Sequence, residues 1–353
     1  IKSKKILLVA AAILAAAVLA VFAGSWLVSS YYFKQGFNEF QKGNGDKATS
    51  FFNKSLKFSP KKPEPHFYLG KIALGKATPG ADLFYSAADY PAAAAHFEKA
   101  IAFGLSGKNK DLYSFALNDA GFSYWMMKNK DRADEKFLRL IEVSPDKSFV
   151  ARYFVAFDYF NRLNKPKESL DILLPAPNVA VLDLHKTNLF RVYALLARLY
   201  SYFDDAVNAE KYAKSAIENS SGMETDIQVA YAILSAFYGK EKNFELAEAE
   251  IKKAVSAGMS PDGGKCALAN SYFIGKNYAK AVEIAKSAGR KASSYERSIC
   301  LSALGQSYFA MGKTAESKKY FQEYLDLTDT FSEKNIFMMR NRRQFESELQ
   351  KLK

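Results

Sequence analysis

The chain has 353 residues, a formal net charge of +13 and 49% hydrophobic residues. It is too long for one ordinary compact core, and with no low-complexity tract or long linker it reads as one continuous ordered domain that grows by addition. The basic residues are scattered, as at Lys61-Lys62, Lys128/Lys130 and Lys318-Lys319; a solvated face is their first reading, attraction to anionic headgroups or an acidic partner the second, and no nucleic-acid recognition signature accompanies them.

Lys2, Lys4 and Lys5 precede Ile6 to Val28, twenty-three residues without a charge. At about 1.5 Å of rise per residue that stretch is long enough to span a bilayer. Trp26, Tyr31 and Tyr32 fall where an interfacial aromatic belt would lie, and the next charge is Lys34. The lysine excess predicts a cytoplasmic N-terminus with the rest of the chain outside, in the periplasm if the cell is bacterial. A cleaved signal peptide competes, with Val21-Phe22-Ala23 before Gly24 as its site, but the apolar run exceeds a signal core of about 7–15 residues. A cytosol-facing receptor of the mitochondrial outer membrane has the same layout.

From residue 30 onward, pairs of small residues recur twelve positions apart: Gly36/Ala48, Gly121/Ala133, Ala197/Ala209, Ser235/Ala247, Ala269/Ala281 and Gly305/Ser317. Phe157/Ser169 has a bulky first member, and Gly70/Ala93 is stretched by about eleven extra residues within 75–92, where Ala77-Thr78-Pro79-Gly80 reads as a turn. A period of 34 to 45 residues between second members marks stacked helical hairpins, each with a small residue on both helices so that the two approach closely. No hairpin buries its own apolar face, so the units must stack. Glycine or a polar residue ends the first helix and proline closes the second, as at Gly43 and Pro60. The fourth unit is degenerate, with Asn164 where glycine is usual and Leu173 in place of an aromatic. A final helix over about 332–352, carrying Arg340, Arg342 and Arg343, is expected to cap the exposed end of the stack.

Little in the chain points to chemistry. His66, His96 and His185 have no ligand-spaced partner, and no set of zinc ligands appears. Gly258 to Cys266 superficially resembles a phosphate-binding loop but has Met259 where glycine is needed and Cys266 where Ser or Thr is needed; it reads as a turn and helix start, with Pro261 and Asp262 suited to that start. Carboxylates such as Glu248/Glu250 and Asp204-Asp205 read as solvated faces and turns. The expectation is a non-enzyme with no catalytic, cofactor or metal site. Cys266 and Cys300 lie on apolar stretches of consecutive first helices. Buried free thiols are the default, and a disulfide in an oxidising compartment is the alternative.

The runs Gly36, Gly43, Ala48, Phe52, Pro60; Gly121, Tyr124, Ala133, Phe137, Pro145; and Gly305, Tyr308, Gly312, Ser317, Phe321 resemble tetratricopeptide repeats. The resemblance covers roughly residues 30 to 328 in eight units and implies an all-α, right-handed superhelical solenoid of about eight helix pairs. The layout is then 1–29 for the cytoplasmic tail and membrane helix, 30–328 for the solenoid and 329–353 for the cap. It also implies that first helices line a concave face that binds a protein partner without chemistry. By the family register the groove positions are Phe33, Phe37, Phe40 and Phe67; Phe115, Asn118, Phe122 and Trp125; and Phe154, Asn161, Arg191 and Arg198. Such stripes at helical spacing are also what inter-repeat core looks like. The family's clamp for acidic C-termini does not carry over, because Phe33 and Phe37 stand at positions where it uses Lys and Asn. The function implied is a membrane-anchored scaffold supporting an envelope assembly such as secretion, pilus, flagellar motor or wall synthesis. A structural subunit of a large assembly and a chaperone-like receptor for apolar clients are the alternatives, with the lipid bilayer as a second partner.

Overall fold

The computed structural model describes the backbone of residues 2–75, 88–179, 189–220, 225–288, 292–331 and 336–351, and their side chains except at 2–20, 22, 225, 226 and 336. All regular structure in these ranges is helical. The helices are α1 (Lys2–Gln41), α2 (Gly45–Phe58), α3 (Pro63–Ala73), α4 (Tyr90–Ala102), the single turn α5 (Leu105–Lys108), α6 (Lys110–Met126) and α7 (Lys130–Val143). After a short 3-10 turn follow α8 (Phe149–Asn161), α9 (Pro166–Leu173), the single turn α10 (Ala176–Val179), α11 (Leu189–Tyr202), α12 (Ala206–Glu218) and α13 (Thr225–Lys240). The chain continues with α14 (Phe244–Ser256), α15 (Pro261–Ile274), α16 (Tyr278–Ser287), α17 (Ser294–Ala310), α18 (Thr314–Asp329) and α19 (Ile336–Lys351).

Sequential helices pair as the twelve-residue spacing requires: α1 with α2, α3 with α4, α6 with α7, α11 with α12, α13 with α14, α15 with α16, and α17 with α18. α8 and α9 are joined by Ser169 Oγ, which donates to the Ala156 carbonyl at 2.7 Å. The packing inside a pair is size-matched. A Cβ added to Gly36 would lie 2.7 Å from the Phe52 ring, one on Gly70 2.8 Å from Phe97, one on Gly121 2.6 Å from Phe137, and one on Gly305 2.4 Å from Phe321. Each ring occupies the space that a side chain on the first helix would need. All four phenylalanines are buried, and each contributes about 1.5–3 kcal/mol by leaving water. Where the first helix carries alanine, as at Ala197 and Ala269, the second answers with Ala213 and Ala285 in the same core clusters.

The turn between paired helices repeats as well. Gly43 and Gly312 adopt positive φ there, and so do Lys128, Asn164, Asp204, Lys242 and Lys276, at 55–62°. Asn164 thus keeps glycine's conformation although the fourth unit looks degenerate. The next residue often caps the second helix: Asn129, Asp205, Asn243 and Asn277 accept from the backbone N–H three positions on. The Gly258–Cys266 stretch is a turn and the start of α15, capped by Ser260. A Cβ on Gly263 would lie 2.0 Å from the Glu296 carboxylate, which accepts from Ser260 Oγ at 2.7 Å.

The chain divides into two compact units, 1–151 and 152–353, where one continuous domain was expected. The division falls in the weak fourth repeat, whose second helix has eight residues. The first unit holds α1 to α7. The second holds most of α8 and everything beyond it, ending on α19, whose Phe345 packs on Phe321 and Tyr324. The expected turn at Ala77-Thr78-Pro79-Gly80 lies outside the described residues. The expected span at 6–28 is helical backbone within α1, but most of its side chains lie outside the described residues. Among the described residues no helix is long and apolar enough to cross a membrane.

The cysteines are not free thiols. Cys266 on α15 and Cys300 on α17 form a disulfide, their Cα atoms 4.6 Å apart. One repeat period separates them, so the stack sets equivalent first helices side by side and brings the two sulfurs together. A cross-link over 34 residues should contribute roughly 3–4 kcal/mol by restricting the unfolded chain. Reduction by dithiothreitol should lower the melting temperature of the second unit's transition, and a Cys266→Ala/Cys300→Ala variant should melt like the reduced protein. A transition that ignores reductant would show the bond to be absent in solution.

Candidate functional site

In the first unit most of the expected aromatic stripe is core. Tyr68 on α3 sits 5.1 Å from Phe37, Phe40 and Phe67, 5.6 Å from Phe52 and 6.0 Å from Phe33, ring centre to ring centre. Phe33, Phe37 and Phe40 of α1 are half-buried by this packing, and Phe67 is buried against Phe97. The stripe on α1 therefore serves the contact between the first and second repeats. Burial, and after it the charge on Glu64, raises the Tyr68 pKa.

α6 is different. Phe122 is buried, but Phe115 is 48% exposed. Lys71 Nζ and Lys147 Nζ lie 5.6 and 5.9 Å from the Phe115 ring centre. Lys71 is held by the buried carboxylate of Asp119 at 2.6 Å, and Lys147 by Asp111. Asn118 is half-buried and donates to Asp119 Oδ1 at 3.3 Å. Further along the helix, Trp125 is half-buried with Lys130 Nζ 3.0 Å above its ring. The arrangement is an exposed aromatic ring flanked by two cations, Lys71 fixed by a buried carboxylate and Lys147 paired with an exposed one. Lys71 and Asp119 were not legible as members, because their partnership joins α3 to α6 across 48 residues.

In the second unit, Phe154 is buried, with 9% of its surface exposed. Asn161 accepts from Arg198 at 3.1 Å and donates to the Phe157 carbonyl at 2.8 Å. Arg198 also lies 5.3 Å from the Phe160 ring centre and lines a cavity of about 890 Å³. Arg191 is half-buried, 5.4 Å from the ring of Phe190. The structure thus brings Asn161 and Arg198 together.

α19 also departs from a simple cap. Its first turns reach α8 and α11: Phe337 is 5.7 Å from Phe160 and 5.8 Å from Tyr202. Arg340 stacks 5.2 Å from the Tyr202 ring centre and donates to the Tyr202 carbonyl at 3.2 Å. The i, i+3 pairing of Phe337 with Arg340 was the available sequence signal.

The histidines correct the expectation that each stands alone. His66 on α3 and His96 on α4 approach to 3.4 Å between Nδ1 atoms. His66 Nε2 lies 3.3 Å from the Pro60 carbonyl, to which it can only donate; neutral His66 then accepts at Nδ1 from His96 Nδ1–H. His185 lies outside the described residues. Two imidazoles are too few for a metal centre, and no group of three or more candidate ligands occurs among the described residues.

Residues 300–330, covering most of α17 and α18, match the tetratricopeptide repeat family. No curated protein matches the chain. Among solved structures, the C-terminal part of a TPR repeat-containing protein from Cytophaga hutchinsonii is 12% identical, with 88% of this chain and 98% of that one covered and a TM-score of 0.44. The APC/C hetero-tetramer Cut9–Hcn1 is 11% identical over 88% of this chain and 54% of that one, with a TM-score of 0.43. The TPR domain of P58(IPK) is 11% identical over 92% and 88%, with a TM-score of 0.31. At these scores the likenesses carry no argument about function. The described residues form an all-α series of paired helices, and residues 300–330 in the last pair are similar to a tetratricopeptide repeat.

The histidine pair makes stability depend on pH. Burial first, then the charges of His66 and Lys99, push His96 down to about 4; burial also lowers His66. The unfolded chain, with pKa near 6.5, binds protons that the folded pair refuses, so the pair's contribution is whole above about pH 6.5 and is lost as pH falls toward 4. Between pH 7 and pH 5 the melting temperature of His96→Gln, which keeps a neutral donor, should fall less than that of the wild type. Parallel curves would contradict the assignment.

Proposed function

We propose that the protein is a non-catalytic scaffold, anchored in a membrane by residues 6–28, that holds a protein partner and supports assembly of a cell-envelope complex. One observation carries the reading: α6 presents Phe115 to solvent between two lysines that are themselves held by Asp119 and Asp111. Exposed aromatic rings with fixed polar neighbours are efficient anchors, since little side-chain entropy remains to be lost on binding. The chemistry suits a segment with an apolar residue followed by a carboxylate.

The exposed part of α1 supports the anchor. Val21, Trp26 and Leu27, at the end of the uncharged run, and Tyr31 just beyond it are 60–69% exposed. An aromatic belt at the bilayer surface accounts for Trp26 and Tyr31. The Cys266–Cys300 bond supports an oxidising compartment for the repeats, and Lys2, Lys4 and Lys5 favour a cytoplasmic N-terminus. Anchoring confines scaffold and partner to two dimensions and raises their effective concentration.

Amine-directed cross-linking of the full chain in its own membranes should join a partner to Lys71 or Lys147. Phe115→Ala should reduce that product at least about tenfold, as loss of a central aromatic anchor does, while the melting temperature stays put because half of the ring is already solvated. Cross-links that ignore the substitution, or that avoid this face, would refute the proposal.

A further inference from the structure

The first helices of the second unit's repeats build one face, and α19 lies across it. Phe337 and Arg340 hold α19 to Phe160 and Tyr202 at one side. At the other, Phe345 packs 4.3 Å from Phe321, and Arg342 donates to the Leu325 carbonyl at 2.9 Å and pairs with Asp329 at 2.9 Å. Asn341, between these ends, donates to Ser302 Oγ on α17 at 3.2 Å. Lined by residues of α11, α12, α13, α15, α17, α18 and α19 is the half-open cavity of about 890 Å³, within the range of roughly 300–1,000 Å³ that holds one small molecule. A partner helix, about 10–12 Å across, could not lie along this face without displacing α19.

The walls are sorted by chemistry. α13 lays down an apolar row, Val229, Ala232, Ile233 and Phe237. Charge gathers where α13 and α15 end: Lys240, Lys242 and Lys276 are exposed there. Among the described residues, with Arg198 and Arg340 the lining holds five cations against one carboxylate, Asp204. An apolar wall leading to a cationic mouth is complementary to a molecule with the opposite distribution. We propose that the cavity binds a small amphiphile, its apolar chain along α13 and its anionic head at Lys240, Lys242 and Lys276. The assignment goes beyond the scaffold reading and is independent of it, since the partner face proposed above is on the first unit.

The test uses the full chain in lipid nanodiscs and a photoreactive diazirine analogue of dodecanoate, with labelled peptides located by mass spectrometry. Label should appear on α13 or α19. Unlabelled dodecanoate should compete it away, whereas dodecyltrimethylammonium, with the same chain and a cationic head, and inorganic phosphate, a head without a chain, should not. Ala232→Trp, which fills the cavity, should lower labelling about tenfold, and Lys240→Glu/Lys242→Glu, a surface change that leaves packing intact, should weaken competition by dodecanoate by a similar factor. Equal competition by the cationic amphiphile, or labelling that survives both variants, would overturn the proposal. Loss of labelling in Ala232→Trp alone, with Lys240→Glu/Lys242→Glu unchanged, would overturn the role of the anionic head.

Discussion

The array depends on a steric match, a missing side chain on one helix filled by a phenylalanine from the next. At Gly36, Gly70, Gly121 and Gly305 the first helix has no Cβ, and the rings of Phe52, Phe97, Phe137 and Phe321 lie where one would be. Glycine in a helix interior costs about 0.5–1 kcal/mol relative to alanine; a fully buried aromatic ring offsets this with a larger gain. Because the match is local to each pair, it can recur without long-range information, and that makes growth by stacking possible. Two later pairs replace it with alanine against alanine; in the fourth repeat, where Phe157 and Leu173 offer neither, the second helix is short and the chain divides into its two compact units.

Much of this was legible in the sequence, for a physical reason. Small residues twelve apart and the αL turn between them are local requirements, so they leave local marks; even Asn164 could be placed by its position. What could not be read depended on contacts between helices. The i, i+4, i+7 spacing of Phe33, Phe37 and Phe40 defines a face, but whether a neighbour covers it was decided by Tyr68 on the next repeat. Phe115 occupies an equivalent stripe and remains exposed. The disulfide follows from the period only once adjacent first helices are known to pack within a few ångströms. The His66–His96 contact was hidden by the insertion that stretches the second repeat.

α19 changes how the second unit should be regarded. A terminal helix that only capped the stack would need Phe345 and little else. This one carries Phe337 and Arg340 back to α8 and α11, so the last repeat is braced against much earlier ones and the face between them is partly covered. The first unit has no such brace among its described residues and presents Phe115 openly.

Ring and glycine are coupled within each of the four glycine–phenylalanine pairs, and a double-mutant cycle on Gly121 and Phe137 tests this most directly. Gly121→Ala alone should destabilise by about 1–3 kcal/mol, as overpacking does. In a Phe137→Leu background, where the ring that a new Cβ would strike is gone, the same change should cost little, giving a coupling of about 1 kcal/mol or more. Additive effects, within about 0.5 kcal/mol, would mean that the two residues do not share the space the structure assigns them.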